Sequence, residues 1–191
     1  NGVNPSVYFV TNNFLLACFP SAANVCNYVC NHRFDNHGIA VSGQDQLNRA
    51  LNWDKGTWGT ADYFHVGAGG GMGVPINHLG SQFDFYAGPQ NLNGAYAGFC
   101  AYYIYTYPGV PDNRCHEYVQ QQLRSPLKNG VLYNVSFKVS LAELSEHGTN
   151  GIGIYFSPGR PPNQTLHLLT DGNGNLAIPQ ISSDFQIPII P

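Results

Sequence analysis

The segment CNYVCNHRFDNH, residues 26–37, gathers Cys26, Cys30, His32 and His37, and with Cys18 it offers zinc soft and borderline ligands. Its pattern, C-x3-C-x-H-x4-H, lacks the two separated ligand pairs of a finger or ribbon. The expectation is therefore a loop pinned by a disulfide, with no metal assigned. DGNGN, residues 171–175, opens like a calcium loop, but Leu176 stands where that loop needs Gly and Ser182 where it needs Glu. It reads as a hairpin turn. The run GAGGGMG at 67–73 lacks the Lys-Ser/Thr of a phosphate loop and no helix follows it, so it reads as a flexible loop. There is no G-x-S-x-G elbow, no H-E-x-x-H and no catalytic cysteine signature. Asp62, Asp84, Glu117 and Glu143 fall in or near strand-like runs, yet nothing in the sequence sets two of them at the roughly 5–10 Å of a glycosidase pair. Glu117 is expected to pair with an Arg or a backbone donor. No enzymatic activity and no cofactor follow from these residues.

Aromatic side chains are the stronger lead. Trp53, Trp58, Tyr63 and the series Tyr102, Tyr103, Tyr105, Tyr107 could stack on the C–H face of a pyranose, although large rings mostly fill cores. Trp58 is the best placed, because DKGTWGT is a Gly-rich loop and a loop aromatic has less packing to account for it. Trp53 and Tyr63 stand beside it as candidates for sugar binding. Asn134 and Asn163 begin N-x-S/T triplets that matter only in a glycosylating host. Cys100 and Cys115 bracket a Pro/Gly loop between strand-like runs, so a disulfide between them is expected, worth about 3 kcal/mol on the chain-entropy estimate. Two buried thiols are the alternative. Cys18, Cys26 and Cys30 then form an odd cluster with one thiol left over.

The elements that must hold these residues are mostly strands. YNVSFKVSL alternates Tyr133, Val135, Phe137, Val139 and Leu141 with Asn134, Ser136, Lys138 and Ser140, a strand with one buried face. Residues 94–107, GAYAGFCAYYIYTY, are apolar or aromatic on both faces and predict a central strand covered on each side. HEYVQQQL, GIGIYFS and TLHLLT are further short runs, and SPLKNG reads as the connection into the alternating strand. QDQLNRALNW places Leu47, Ala50 and Leu51 at helical spacing after caps at Ser42 or Asp45, which predicts one short helix. Many short strands with at most that one helix predict an all-β chain folded as a two-sheet β-sandwich, a jelly roll. At 191 residues the chain fits one domain, expected over 1–183, with an extended arm over 184–191.

Composition narrows the partners. Only 10% of residues are charged, against roughly a quarter in ordinary soluble domains. The net charge is −3 with no block of Lys or Arg, which argues against nucleic acid and anionic membranes as partners. No apolar run reaches the roughly 18 residues of a membrane span, since Asn12 and Asn13 interrupt SVYFVTNNFLLACFP. The neutral-polar, Gly-, Asn- and Tyr-rich profile is that of an extracellular surface. If the protein is secreted, the sequence is expected to be the mature form after removal of a signal peptide.

TADYFH (60–65), GVPINHLGSQ (73–82), GAYAGF (94–99), EYVQQQL (117–123), PLKNGVLYNVSFKVSLAELS (126–145) and IGIYFS (152–157) together resemble the jelly-roll, carbohydrate-binding-module-like domain of large surface proteins of Bacteroidetes-type bacteria. NGVNPSVYF is similar to that family's first strand, and Cys18-Phe19-Pro20 to the Cys-Pro that follows it. The resemblance implies a cell-surface protein of the kind found beside gliding-motility or type IX secretion sorting modules. Its motifs are motifs of fold. Two departures stand out: the Glu usual in the first strand, where such modules often place a structural calcium, is replaced near Tyr8 and Phe9, and the family domain runs on after the PQI matched by Pro179-Gln180-Ile181.

The expected function is an extracellular structural and adhesive surface protein, self-associating into a filament by strand exchange. Two segments could serve as the donated strand, SVYFVTNNFLL and DFQIPIIP; the second is expected, with Phe185, Ile187 and Ile189 on one face and prolines that keep it out of a central ladder. The alternative is a carbohydrate-binding module that holds a polysaccharide through loop aromatics.

Overall fold

A computed structural model of the chain describes residues 6–18, 27–82, 94–104, 114–145, 148, 151–161 and 168–182. The longest strand, β1 (Ser6–Cys18), is rich in β-branched and aromatic residues and pairs on both edges. On one side lies the long alternating strand Tyr133–Leu141, antiparallel from Phe9↔Leu141 to Cys18↔Tyr133. The register slips between Asn12 and Leu15, so the Asn12-Asn13 pair sits at a bulge where the ladder breaks and the strand bends. On the other side lies Ala95–Ile104, also antiparallel. Its far edge takes Asp62–His65 along Ala95–Gly98 and Arg114–Cys115 along Tyr103 and Ile104. The result is a five-stranded antiparallel sheet.

Three two-stranded ladders complete the strands: Asp54–Lys55 with Val119–Gln120, Ile76–Asn77 with Gly80–Ser81, and Gly153–Ile154 with Ile181–Ser182. In chain order the strands are therefore β1 (Ser6–Cys18), β2 (Asp54–Lys55), β3 (Asp62–His65), β4 (Ile76–Asn77), β5 (Gly80–Ser81), β6 (Ala95–Ile104), β7 (Arg114–Cys115), β8 (Val119–Gln120), β9 (Tyr133–Leu141), β10 (Gly153–Ile154) and β11 (Ile181–Ser182). The chain is all-β. Among the described residues one five-stranded sheet and these small ladders are formed, and no closed two-sheet sandwich.

The two strands legible in the sequence behave as their patterns require. Along β9 the odd-numbered apolar side chains are half-buried, and Asn134, Ser136 and Lys138 face outward. In β6, Ala95, Tyr96, Ala97 and Gly98 are consecutively buried, so both faces of this stretch are covered. The expected helix at QDQLNRALNW is a single 3-10 turn, Leu47–Arg49. Asp45 adopts φ +61, its N–H is taken by the Asp62 carboxylate at 2.7 Å, and the turn has no side-chain cap, so no α-helical turn can propagate from it. Leu47 and Ala50 point into the core and Leu51 outward.

One core runs through the sheet and the loops. Leu16, Tyr63, Phe64, Tyr96 and Ala97 come from strands, while Val29, Phe34, Val41, Trp53 and Met72 come from connections. The glycine run at 67–73 is anchored rather than loose. Met72 is fully buried, Met72 N–H bonds Gly69 O, and Gly70, at φ +62, lies so close to Ser42 O that a Cβ would stand 2.5 Å from it. DGNGN forms the expected turn, with the Asp171 carboxylate accepting from the N–H groups of Asn173 and Asn175 and a bridge from Thr170 to Leu176 closing the hairpin.

The expected Cys100–Cys115 disulfide is not made. The register sets Cys115 opposite Tyr103, three residues along β6 from Cys100. At about 3.3 Å per residue that separation far exceeds the roughly 7 Å between Cα atoms that a disulfide spans. The residues 184–191, with Phe185, Ile187 and Ile189, lie outside the described residues, as do Asp84, Tyr105, Tyr107 and Asn163.

Candidate functional site

Trp58 is held by a loop in which its neighbours Gly56, Thr57 and Gly59 are buried. β2 pairs with β8, and the ladder is extended by Gly56 N–H donating to Tyr118 O at 3.1 Å and by Gln120 Nε2 donating to Lys55 O at 2.7 Å. At Gly56 a Cβ would stand 2.8 Å from the Tyr118 Cβ, and at Gly59 it would stand 2.8 Å from Glu117 Cγ, so both glycines permit a close approach of the loop to the strand below. Thr57 is buried, and its hydroxyl accepts from Gly59 N–H at 3.3 Å. Between these inward residues the Trp58 side chain is 61% exposed.

The far end of the loop is fastened by Glu117. Its Oε1 accepts from Thr60 N–H at 2.7 Å and from the Thr60 hydroxyl at 2.6 Å, and its Oε2 accepts from Cys100 N–H at 2.7 Å. One carboxylate thus ties the loop to an edge of β6, where the ladder to β3 has ended at Gly98. Burial pushes the Glu117 carboxyl above its ordinary range, with Asp62 adding in the same direction, and the bonds from Thr60 and Cys100 pull back toward ionisation. Two ion pairs flank the β2 ladder, Arg160–Asp54 at 2.5 Å and Lys55–Asp45.

Trp53 and Tyr63, the other two sugar-binding candidates, are core residues. Trp53 stacks on Phe34 with ring centroids 4.5 Å apart, and its indole N–H donates to Asn31 O at 2.9 Å. Tyr63 is fully buried, its hydroxyl donates to Phe34 O at 2.7 Å, and burial pushes its pKa up. Neither ring has a face to offer a ligand, since the connection after the 3-10 turn and the strand β3 that carry them turn both inward.

The acidic residues are likewise bonded within the fold. Asp62 Oδ2 accepts from His78 Nε2 at 3.1 Å while His78 Nδ1 reaches Gly71 O at 3.3 Å. The bond to Asp62 holds His78 above its ordinary value. Glu143 accepts from Gln82 at 2.6 Å, and Gln82, Asn77 and the Tyr96 hydroxyl close a network at 2.6–2.7 Å. These contacts tie the β4–β5 hairpin to β6 and to the residues after β9. With both imidazole nitrogens of His78 occupied, no free base faces a nucleophile there.

At the cysteine- and histidine-bearing loop, no three of His, Cys, Asp and Glu converge on a metal-sized group among the described residues. Cys30 is a free thiol. The loop is pinned instead by amides: Asn27 Oδ1 accepts from Leu16 and Val29 N–H, Gln121 bonds both N–H and C=O of Cys30, and Asn31 bonds Asn36 and Leu51. Glu117 takes the backbone donors expected of it, the N–H groups of Thr60 and Cys100; what reading the sequence missed is that these bonds, with the Thr60 hydroxyl, fasten the Trp58 loop. The available signal was the pair Gly56 and Gly59 around the ring, which announces close backbone approach to something below.

No family model, no curated protein and no solved structure matches the chain.

Proposed function

We propose that this chain is a non-catalytic, extracellular adhesive β domain that presents Trp58 to a polysaccharide. The observation that carries the reading is a large ring 61% exposed on a loop fastened at both ends. Ordering that loop before contact removes the entropy cost of ordering it on binding. The low charge of the chain and its resemblance to jelly-roll surface modules of Bacteroidetes-type bacteria support the same reading, with the five-stranded sheet as one face of a sandwich. The test is a glycan array followed by calorimetry on any hit. Trp58→Ala is expected to weaken binding by roughly 1–3 kcal/mol and to leave the melting temperature almost unchanged. Equal binding by Trp58→Ala, or no hit across neutral and acidic glycans, would reject it.

A second reading, self-association into a filament, is favoured by the C-terminal hairpin. Leu176 (56%), Ile178 (72%) and Ile181 (43%) are exposed there within six residues. Phe185, Ile187 and Ile189 continue the apolar series, as an arm donated to a neighbouring subunit would. Deleting residues 184–191 is expected to abolish assembly followed by light scattering and electron microscopy. A full-length chain that stays monomeric at high concentration, or a truncated one that assembles normally, excludes the arm exchange.

A further inference from the structure

A cleft of about 490 Å³ opens on the face formed by the loop after β1 and the turn before β2, lined among others by Asp35, Asn36, His37, Leu51, Asn52 and Arg124. Its walls are rigid for a reason visible in the backbone. Three of the four non-glycine residues with positive φ among the described residues, Asn31 (φ 43), Phe34 (φ 62) and Asn52 (φ 72), belong to these two segments. A bulky Phe in the left-handed region persists only where its surroundings over-determine it. Here they do: Phe34 is fully buried against Trp53, and its carbonyl accepts from the Tyr63 hydroxyl. The Asn31 carboxamide clamps Asn36 and Leu51 together, closing one wall on the other.

The groups left on this scaffold are polar and unspent. Asp35 is engaged by Arg33 at 3.4 Å, whereas Arg124 forms no ion pair among the described residues. The charged groups around His32 are the guanidinium groups of Arg33 and Arg124 and the carboxylate of Asp35, which also lines the cleft. His32, beside the cleft, is held below its ordinary value by burial first and then by Arg33, with Arg124 adding, while Asp35 alone opposes them. The side chains of Asn36 and Asn52 are exposed and make no hydrogen bond within the described residues, and Leu51, 48% exposed, supplies an apolar surface between them. A guanidinium fork suits a carboxylate, carboxamides suit neighbouring hydroxyls because each offers donor and acceptor, and an apolar patch suits the C–H face of a ring.

We propose that this cleft binds an acidic saccharide, with Arg124 taking the carboxylate of a uronic acid unit and Asn36 and Asn52 its hydroxyls. The site is distinct from the Trp58 loop and does not rest on it. Calorimetry would compare an oligogalacturonate, the neutral galacto-oligosaccharide of equal length, acetate, and a Glu-rich peptide of similar charge. The expected result is binding of the oligogalacturonate at least about tenfold tighter than any of the other three. Arg124→Gln, at an exposed position, is expected to weaken that binding at least about tenfold, and Asn52→Gly, which keeps the positive φ and removes the carboxamide, several-fold. Equal affinity for the neutral oligosaccharide, acetate or the peptide would overturn the proposal. So would unchanged binding in Arg124→Gln with native circular dichroism, whereas loss of binding confined to Trp58→Ala would leave the aromatic platform standing and remove the cleft.

Discussion

Two indoles in this chain occupy opposite environments five residues apart: Trp53 is 6% exposed and Trp58 61%. The difference comes from what flanks each ring. Trp53 finds Phe34 for its face and Asn31 O for its N–H, while Trp58 stands between Thr57 and Gly59, which both turn inward. Intrinsic fluorescence separates the two directly. Trp58→Phe is expected to shift emission to the blue and to remove most of the quenching by iodide; a spectrum that keeps its red component would place Trp58 inside. Glu117 governs how firmly the exposed ring is held. Glu117→Gln keeps the shape but cannot accept at both terminal atoms, so one of the donors on Thr60 or Cys100 loses its partner at a cost of about 1–3 kcal/mol. Urea denaturation would show the loss, and a variant as stable as the parent would mean that the carboxylate is not the fastening.

At the scale of elements, β6 depends on a glycine between two layers. A Cβ at Gly98 would stand 2.5 Å from Phe64 Cε2 and 3.2 Å from Leu79 Cδ1, and Phe64 is fully buried and cannot yield. Gly98→Ala is expected to cost about 1–3 kcal/mol or more by overpacking, read from the shift of the urea midpoint. A neutral substitution would mean that β3 can slide off β6. These long strands were legible because their signal is local: β9 alternates with period two and β6 is apolar on both faces. The short helix was misread because the spacing of Leu47, Ala50 and Leu51 fits a helix, whereas the conformation of Asp45 is decided by Asp62, seventeen residues away. The Cys100–Cys115 pairing failed for a related reason, since register is set by which residues cross the sheet and not by the loop between them. Trp58 was legible as a loop aromatic; the cleft around Arg124 was not, because Cys30, Leu51 and Arg124 meet only after Gln121 and Asn31 have joined their segments.

For the molecule as a whole, the buried ionisable groups give stability a pH dependence whose sign differs on the two sides of neutrality. His78 is raised chiefly by its hydrogen bond to Asp62, so its contribution is full below the ordinary imidazole value and is lost as pH climbs through the raised one. His65 is lowered by burial first and then by His37, and its Nδ1 accepts from Gly67 N–H at 3.0 Å, a bond that needs the neutral ring. Its contribution is present above the ordinary value and is lost as pH falls through the depressed one; His32, also lowered by burial, acts in the same sense. Glu117 opposes these on the acid side, because a carboxyl raised by burial costs less folding free energy as it takes up its proton. Asp35, raised by burial, sides with Glu117, and Asp171, lowered by the N–H groups of Asn175 and Asn173, sides with the two histidines; these groups compete below about pH 6.5, and His78 acts with the fewest rivals above it. The urea midpoint is expected to fall as pH rises above about 6.5 in the parent and to show no such fall in His78→Gln, with Asp62→Asn reducing the fall by removing the carboxylate charge that faces His78. A His78→Gln profile parallel to the parent would assign the alkaline loss elsewhere and leave the Asp62–His78 contact as a neutral packing bond between β3 and the β4–β5 hairpin.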